Sequence, residues 1–267
     1  MDVKRYKSAI LGIPIAILVF LIGNKYIVSI SMSIVAMIAM HEYFKAISQI
    51  AKPVKWIGYV ACLNIALANI IPTEMLIQLV FLEIPVILMA LFLHIIITEM
   101  KINLEDVAYT FFGICYVVIF MLFIALIAGR ENGKILTWFT IIAAWGTDMS
   151  AYFVGKTIGK HKFNKISPKK SIEGCIGGTI FAVLGILIYM FVSNTYWGTS
   201  YSYLNVALVG TILSLIGQIG DFSASCIKRY VNIKDYSNLI PGHGGILDRM
   251  DSFLFMAPFA YILFGIM

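Results

Sequence analysis

Nine mainly apolar stretches follow one another along this chain, at roughly 8–23, 26–46, 55–71, 75–98, 107–128, 135–155, 175–194, 204–227 and 252–266. An α-helix rises about 1.5 Å per residue, so about 20 apolar residues cross the hydrocarbon of a bilayer. The chain is 60% hydrophobic and 13% charged, where a soluble domain is about 45–50% apolar and about 25% charged. Mean hydropathy is +0.91. A soluble protein of this composition would lack the polar surface to cover itself, so the excess must face lipid. The pattern predicts an all-α fold: one integral membrane domain over residues 1–267, built as a polytopic transmembrane bundle of about nine spans. The first stretch is short and resembles the apolar part of a signal peptide. No small-residue cleavage site follows it, so it is counted as a helix that stays.

The charges orient this bundle. Lys and Arg collect in cytoplasmic loops. Nine spans place 17 of the 20 Lys and Arg residues on the side of the N-terminus and only Lys25, Arg130 and Lys134 on the other. The N-terminus is therefore expected in the cytoplasm and the C-terminus outside. The net charge of +6 mostly reflects this asymmetry. No basic soluble domain exists to bind nucleic acid, whereas a basic face beside a bilayer suits anionic lipid headgroups and anionic soluble substrates. Cys62, Cys115, Cys175 and Cys226 lie far apart, with neither metal-site spacing nor a disulfide framework.

Chemistry is unevenly distributed. Residues 1–140 are mainly apolar helices. Their notable polar groups are Glu83 in mid-span, read as protonated or paired with a neighbouring helix, His94 about three turns later, and His41 with Glu42, read as interfacial. Residues 141–251 carry the unusual polar groups. Trp145, Asp148, Tyr152, Gly155 and Gly159 recur on one helical face, a pattern that also suits a tight helix–helix seam. Ser167-Pro168-Lys169-Lys170-Ser171-Ile172-Glu173-Gly174 precedes the seventh stretch. Lysines and hydroxyls at a helix entry can bind phosphate, though a lysine run at a membrane surface is also a topology signal. No capping box forms between Ser171 and Gly174, and Ser167 is the residue expected to cap a short interfacial helix.

The eighth stretch presents Asp221, Ser225 and Lys228 at i, i+4 and i+7, with Arg229 beside them. So polar a stripe in an apolar span must face protein, water or ligand. Lys234 and Asp235 follow, then Pro241-Gly242-His243-Gly244-Gly245-Ile246-Leu247-Asp248-Arg249-Met250-Asp251. Three glycines in four positions let the backbone curl its N–H groups toward an anion. Asp248 and Asp251, three apart, share a face if that turn is helical. Mg²⁺ is usually held by one or two carboxylates plus substrate phosphates. Together the pieces describe a metal-assisted phosphate site.

The 27 residues from Ser225 to Asp251 resemble the signature of the phosphatidate cytidylyltransferase (CDP-diacylglycerol synthase) family. The matching positions are Ser225, Ile227, Lys228, Arg229, Lys234, Asp235, Ser237, Ile240, Pro241, His243, Gly244, Gly245, Ile246, Asp248, Arg249, Met250 and Asp251. The Trp145-Asp148-Tyr152 face and the Ser167–Gly174 stretch are similar to the family's upstream motifs. Threonine would be equally expected at Ser171.

The resemblance implies transfer of a cytidylyl group from CTP to phosphatidate, Mg²⁺ dependence with an optional second cation, and a homodimer. The short chain, without a long polar N-terminal extension, is expected to be a bacterial plasma-membrane enzyme, and the charge asymmetry puts its site on the cytoplasmic face. The resemblance also implies Asp221, Asp248 and Asp251 as metal ligands, and Lys228, Arg229 and Ser225 beside them. Lys169, Lys170, Ser171, Lys234, Gly242, His243, Gly244, Gly245, Arg249 and Asp148 become candidate substrate contacts. Three rivals differ in what they predict. A CTP-dependent lipid kinase would release CDP, a synthase for ether lipids would make a different product, and a transporter lined by Glu83, Asp148 and Asp221 would move ions without consuming CTP.

Overall fold

The computed structural model describes residues 19–164, 166–240, 242 and 244–267. These are all-helical and fall into two compact units, one of the described residues up to 129 with those of 230–249, the other of the described residues of 130–229 with 250–267. Among the described residues, six helices are long and apolar enough to cross a membrane: Lys25–Ile47, Thr73–Ile97, Leu104–Gly129, Ile172–Tyr196, Tyr203–Tyr230 and Leu247–Ile266. Most of the first expected stretch, 8–23, lies outside the described residues.

The first unit is organised around α1 (Lys25–Ile47), which Asn24 caps by accepting from the N–H groups of Tyr26 and Ile27. Its buried face carries Met32, Ala36, Ala39, Met40, Tyr43 and Phe44. α2 (Lys55–Leu63) continues as a tighter turn to Leu67. The stretch 55–71, expected as a span, is thus helical over only 13 residues. Two causes are visible. Pro72 disfavours helix in the residue before it. Asn69 leaves the helix to donate to Ser29 Oγ (2.8 Å) and to the Ala125 carbonyl (2.7 Å), joining α1 and α4.

α3 (Thr73–Ile97) contains Pro85 and is largely uncovered. Its Glu83 accepts a 2.7 Å hydrogen bond from Asn64, so this intramembrane acid is paired with a neighbouring helix. α4 (Leu104–Gly129) starts at a capping box between Asn103 and Asp106 and widens into a π turn over Ile114–Ile119. Just before that turn, Tyr43 fills the space above Gly113 and donates to the Tyr109 carbonyl at 2.8 Å.

The second unit starts with α5 (Gly133–Thr157). It is long enough to span, but its Trp145–Ser150 run and terminal lysines leave it less apolar than the six above. α6 (Ile172–Tyr196) packs along it through small residues. Gly146 meets Ala182, Gly178 meets Thr147 and Ala151, and Gly174 meets Ala151 and Gly155. α7 (Tyr203–Tyr230) joins through a polar layer. Ser214 contacts Thr147 and Thr179, and Gln218 donates to Thr179 and to the Cys175 carbonyl. α8 (Leu247–Leu263) starts five residues before the expected 252. In this unit its Met256 fills the space over Gly217, and its Asp251 carbonyl approaches Gly220.

Candidate active site

The second unit brings carboxylates together from three helices. Asp148 comes from α5, Asp221 from α7 and Asp251 from α8. Asp251 is 7% exposed and lies within the fields of Asp221, Asp148 and Lys228. The Ser252 N–H donates to Asp251 Oδ1 (2.8 Å), and the Ser252 hydroxyl reaches Asp148 Oδ2 (3.2 Å). Gly220 permits this arrangement: a Cβ there would stand 2.6 Å from the Asp251 carbonyl oxygen. Asp221 is paired with Lys170, and both side chains are about three-quarters buried. Lys170 also lies 4.3 Å from the centre of the Phe222 ring, which stacks on Phe163 at 4.6 Å.

The loop between α5 and α6 delivers Lys170. Phe163 N–H donates to the Lys170 carbonyl, and Ile172 N–H donates to the His161 carbonyl, closing a short hairpin. Glu173 receives the N–H groups of Lys160 and His161 and the His161 ring, so the hairpin is tied to the first turn of α6. Ser171 caps α6, its buried hydroxyl accepting from Gly174 N–H at 3.1 Å. The short interfacial helix expected after Ser167 is instead a turn, in which the Ser167 N–H donates to Asn164 Oδ1 at 2.9 Å. Gly155 and Gly159 stand against that hydroxyl. Tyr152 and Trp145, on the same expected face, are exposed, as is Lys169. On α7, Ser225 and Lys228 are partly covered and Arg229 is exposed.

The first unit holds the glycine-rich segment. Gly242 and Gly244 take φ of +80° and +82°, conformations that side chains resist. Ile240 N–H donates to the Gly244 carbonyl at 2.9 Å. Asp248, 5% exposed, accepts from Tyr236 N–H (2.8 Å) and Gly245 N–H (2.9 Å) through Oδ2. The Gly245 N–H thus already has a carboxylate partner. Lys234 and Arg249 are exposed. His243 lies outside the described residues.

Glu42 departs from its interfacial reading. It is 3% exposed and accepts from the Ser237 hydroxyl, Ile246 N–H and Leu247 N–H. Its position near a helix end concealed this, because every partner lies about 200 residues away in sequence.

The donor chemistry suits a hard divalent cation, since carboxylate oxygens are its preferred ligands. Among the described residues no three His, Cys, Asp or Glu side chains stand as a ready cage. Mg²⁺ needs no such cage, because one or two carboxylates and phosphate oxygens suffice. Asp221 and Asp251 fit that requirement, with Lys170 and Lys228 as cations for phosphate.

A family model described as "Cytidylyltransferase family" matches residues 3–267. The chain belongs to the cytidylyltransferase family. Among similar proteins, the phosphatidate cytidylyltransferase of Bacillus subtilis (strain 168) is 37% identical over 167 residues, covering 62% of this chain and 59% of that protein. The phosphatidate cytidylyltransferase of Staphylococcus haemolyticus (strain JCSC1435) is 37% identical over 172 residues, 64% of each chain. That of Staphylococcus aureus (strain COL) is 38% identical over 175 residues, again 64% of each. This member of the family thus aligns with about six-tenths of the length of those relatives.

Proposed function

We propose that this chain transfers the cytidylyl group of CTP to phosphatidate, giving CDP-diacylglycerol and pyrophosphate. The observation that carries the reading is the gathering of Asp148, Asp221 and Asp251 from three helices, with Lys170 and Lys228 beside them. Family membership and the names of the relatives above supply the nucleotide and the lipid.

The phosphatidate phosphate is already an anion, so little acid–base chemistry is required. One of its oxygens forms the new bond to the α-phosphorus of CTP. The bond from that phosphorus to the bridging oxygen of the β-phosphate breaks, and pyrophosphate leaves with the electron pair. The difficulty is holding two polyanions in line, so positioning and charge neutralisation supply most of the rate. Lys228, Arg229 and Arg249 neutralise phosphate charge, an arginine gripping two oxygens at once. Lys169, Lys170 and Lys234 add positive field, Ser225 offers a hydroxyl on the same α7 face, and the glycine segment around Gly242 and Gly244 offers backbone. Asp221 and Asp251 would hold Mg²⁺, and the resemblance adds Asp248 to the ligands. When bound, the cation offsets the charge of the triphosphate.

The wider reading is a single membrane domain of about nine spans in a bacterial plasma membrane. The N-terminus and the site face the cytoplasm, and the protein is a homodimer. The lysine distribution supports the orientation, and the apolar helices support the bilayer setting.

The test is CTP turnover by purified protein in detergent with phosphatidate and Mg²⁺, following pyrophosphate and lipid product beside Asp221→Asn and Asp248→Asn. Equal amounts of pyrophosphate and CDP-diacylglycerol, lost in the variants, are expected. Release of CDP with a phosphorylated lipid alcohol would move the assignment to a kinase. No turnover with any lipid phosphate would refute transfer.

A further inference from the structure

We infer that Glu42, on α1 and outside every recognised motif, is a positioning residue of the transfer reaction. It acts by fixing the Tyr236–Asp248 segment and the start of α8. The inference rests on the function proposed above.

A carboxylate buried to 3% exposure is costly unless its charge is met. Among the described residues Glu42 pairs with no cation. Its charge is met instead by the open end of a helix. Oε2 accepts from Leu247 N–H at 2.8 Å, and Oε1 accepts from Ile246 N–H at 3.1 Å and from the Ser237 hydroxyl at 2.6 Å. The N–H groups of a first helical turn have no partners within their own helix, and the helix dipole favours an anion there. Glu42 is thus a cap for α8 supplied by another helix. This accounts for α8 starting at Leu247 rather than at 252.

The fit leaves no slack. A Cβ on Gly245 would lie 2.5 Å from both Glu42 oxygens, so glycine is the residue that lets the segment close on the carboxylate. From the other side Asp248 takes Tyr236 N–H and Gly245 N–H. Two carboxylates therefore grip one loop. Asp248 belongs to the motif, whereas Glu42 reaches it from the part of the chain that carries none. Glu42 is the fixed post in this arrangement, because Tyr43 and Phe44 beside it are fully buried. Losing it frees Ile246 and Leu247 to shift, and with them Asp248 and Arg249.

The test uses full-length protein in detergent and two variants, Glu42→Gln and Ser237→Ala. Glutamine keeps one acceptor oxygen but turns an NH₂ donor toward an N–H donor. Ser237→Ala removes only the hydroxyl. Amide hydrogen exchange of a peptide covering 244–250 needs no substrate, so it reads the contact whether or not the proposed reaction is correct. Exchange there should rise at least about tenfold in Glu42→Gln and by less in Ser237→Ala. In turnover, kcat should fall and KM for CTP should rise about tenfold in Glu42→Gln, with the same trend weaker in Ser237→Ala. A purely structural role would lower the active fraction, reducing kcat with KM intact, and that result overturns the inference. Unchanged exchange in both variants overturns it too. If Glu42→Gln does not fold, Ser237→Ala alone decides by the same two readouts. Faster exchange in a protein whose wild type turns over no CTP would keep the contact, and it would sink the proposed function and the inference's catalytic claim together.

Discussion

Gly178 and Gly185 lie two turns apart on α6 and differ in one respect that yields a sharp prediction. A Cβ built on Gly178 would stand 2.9 Å from both the Ala151 Cβ and the Thr147 carbonyl oxygen of α5. Built on Gly185 it would meet nothing nearer than Ile142 Cγ2 at 3.7 Å, an ordinary contact. Both substitutions replace glycine by alanine in the interior of one helix, so any gain in helix propensity, at most about 1 kcal/mol, is shared and cancels between them. The remaining difference is overpacking. Backbone cannot yield as a side-chain tip can, so Gly178→Ala carries the usual cost of about 1–3 kcal/mol and Gly185→Ala does not. At about 2–4 °C per kcal/mol for a chain near this size, the two apparent Tm values should differ by about 2–12 °C. Thermal unfolding of both variants in one detergent, at one scan rate, measures this. Gly178→Ala melting at or above Gly185→Ala would refute the claim that glycine at this seam sets the approach of α5 to α6.

Lys170→Met should cut turnover by about 10²-fold, the order seen when one preorganised electrostatic group is removed, with a smaller loss from Lys169→Met, whose side chain is exposed. Initial rates at saturating CTP compare them, and equal losses would remove the special role of the Asp221 pairing. Asn69→Ala deletes donors to Ser29 and Ala125 and should lower stability by about 1 kcal/mol, read as a fall in apparent Tm of about 2–4 °C. Chelation of divalent cations should abolish turnover while helix content by circular dichroism stays constant, and added Mg²⁺ should restore the rate. Turnover that survives chelation would refute a Mg²⁺ requirement.

The helices were legible because hydropathy reads long apolar runs directly. The expected 26–46, 75–98, 107–128, 135–155, 175–194 and 204–227 each fall within about three residues of a helix in the structure. The misses have local causes. The stretch 55–71 loses its last turn to Asn69, whose partners on α1 and α4 no window along the chain can see. α8 begins early because Glu42, far off in sequence, satisfies its first N–H groups. Of the candidate site, the aspartates and lysines were legible by type and spacing. The pairing of Lys170 with Asp221, and of Ser252 with Asp148, was not, because those contacts join elements whose separation only the fold determines. Ser252 carried no signal beyond standing next to Asp251.

The distance between Glu42 and its partners also matters during synthesis. Ser237 lies 195 residues downstream and Leu247 lies 205. At about 5–20 residues per second, a ribosome needs about 10–40 s to supply them. Throughout that interval α1 holds an acid whose final partners do not yet exist. A chain ending before residue 237 never acquires them, so early termination leaves a standing defect in α1. The start of α8 thus reports back on α1: the burial of one carboxylate there depends on a segment made about 200 residues later.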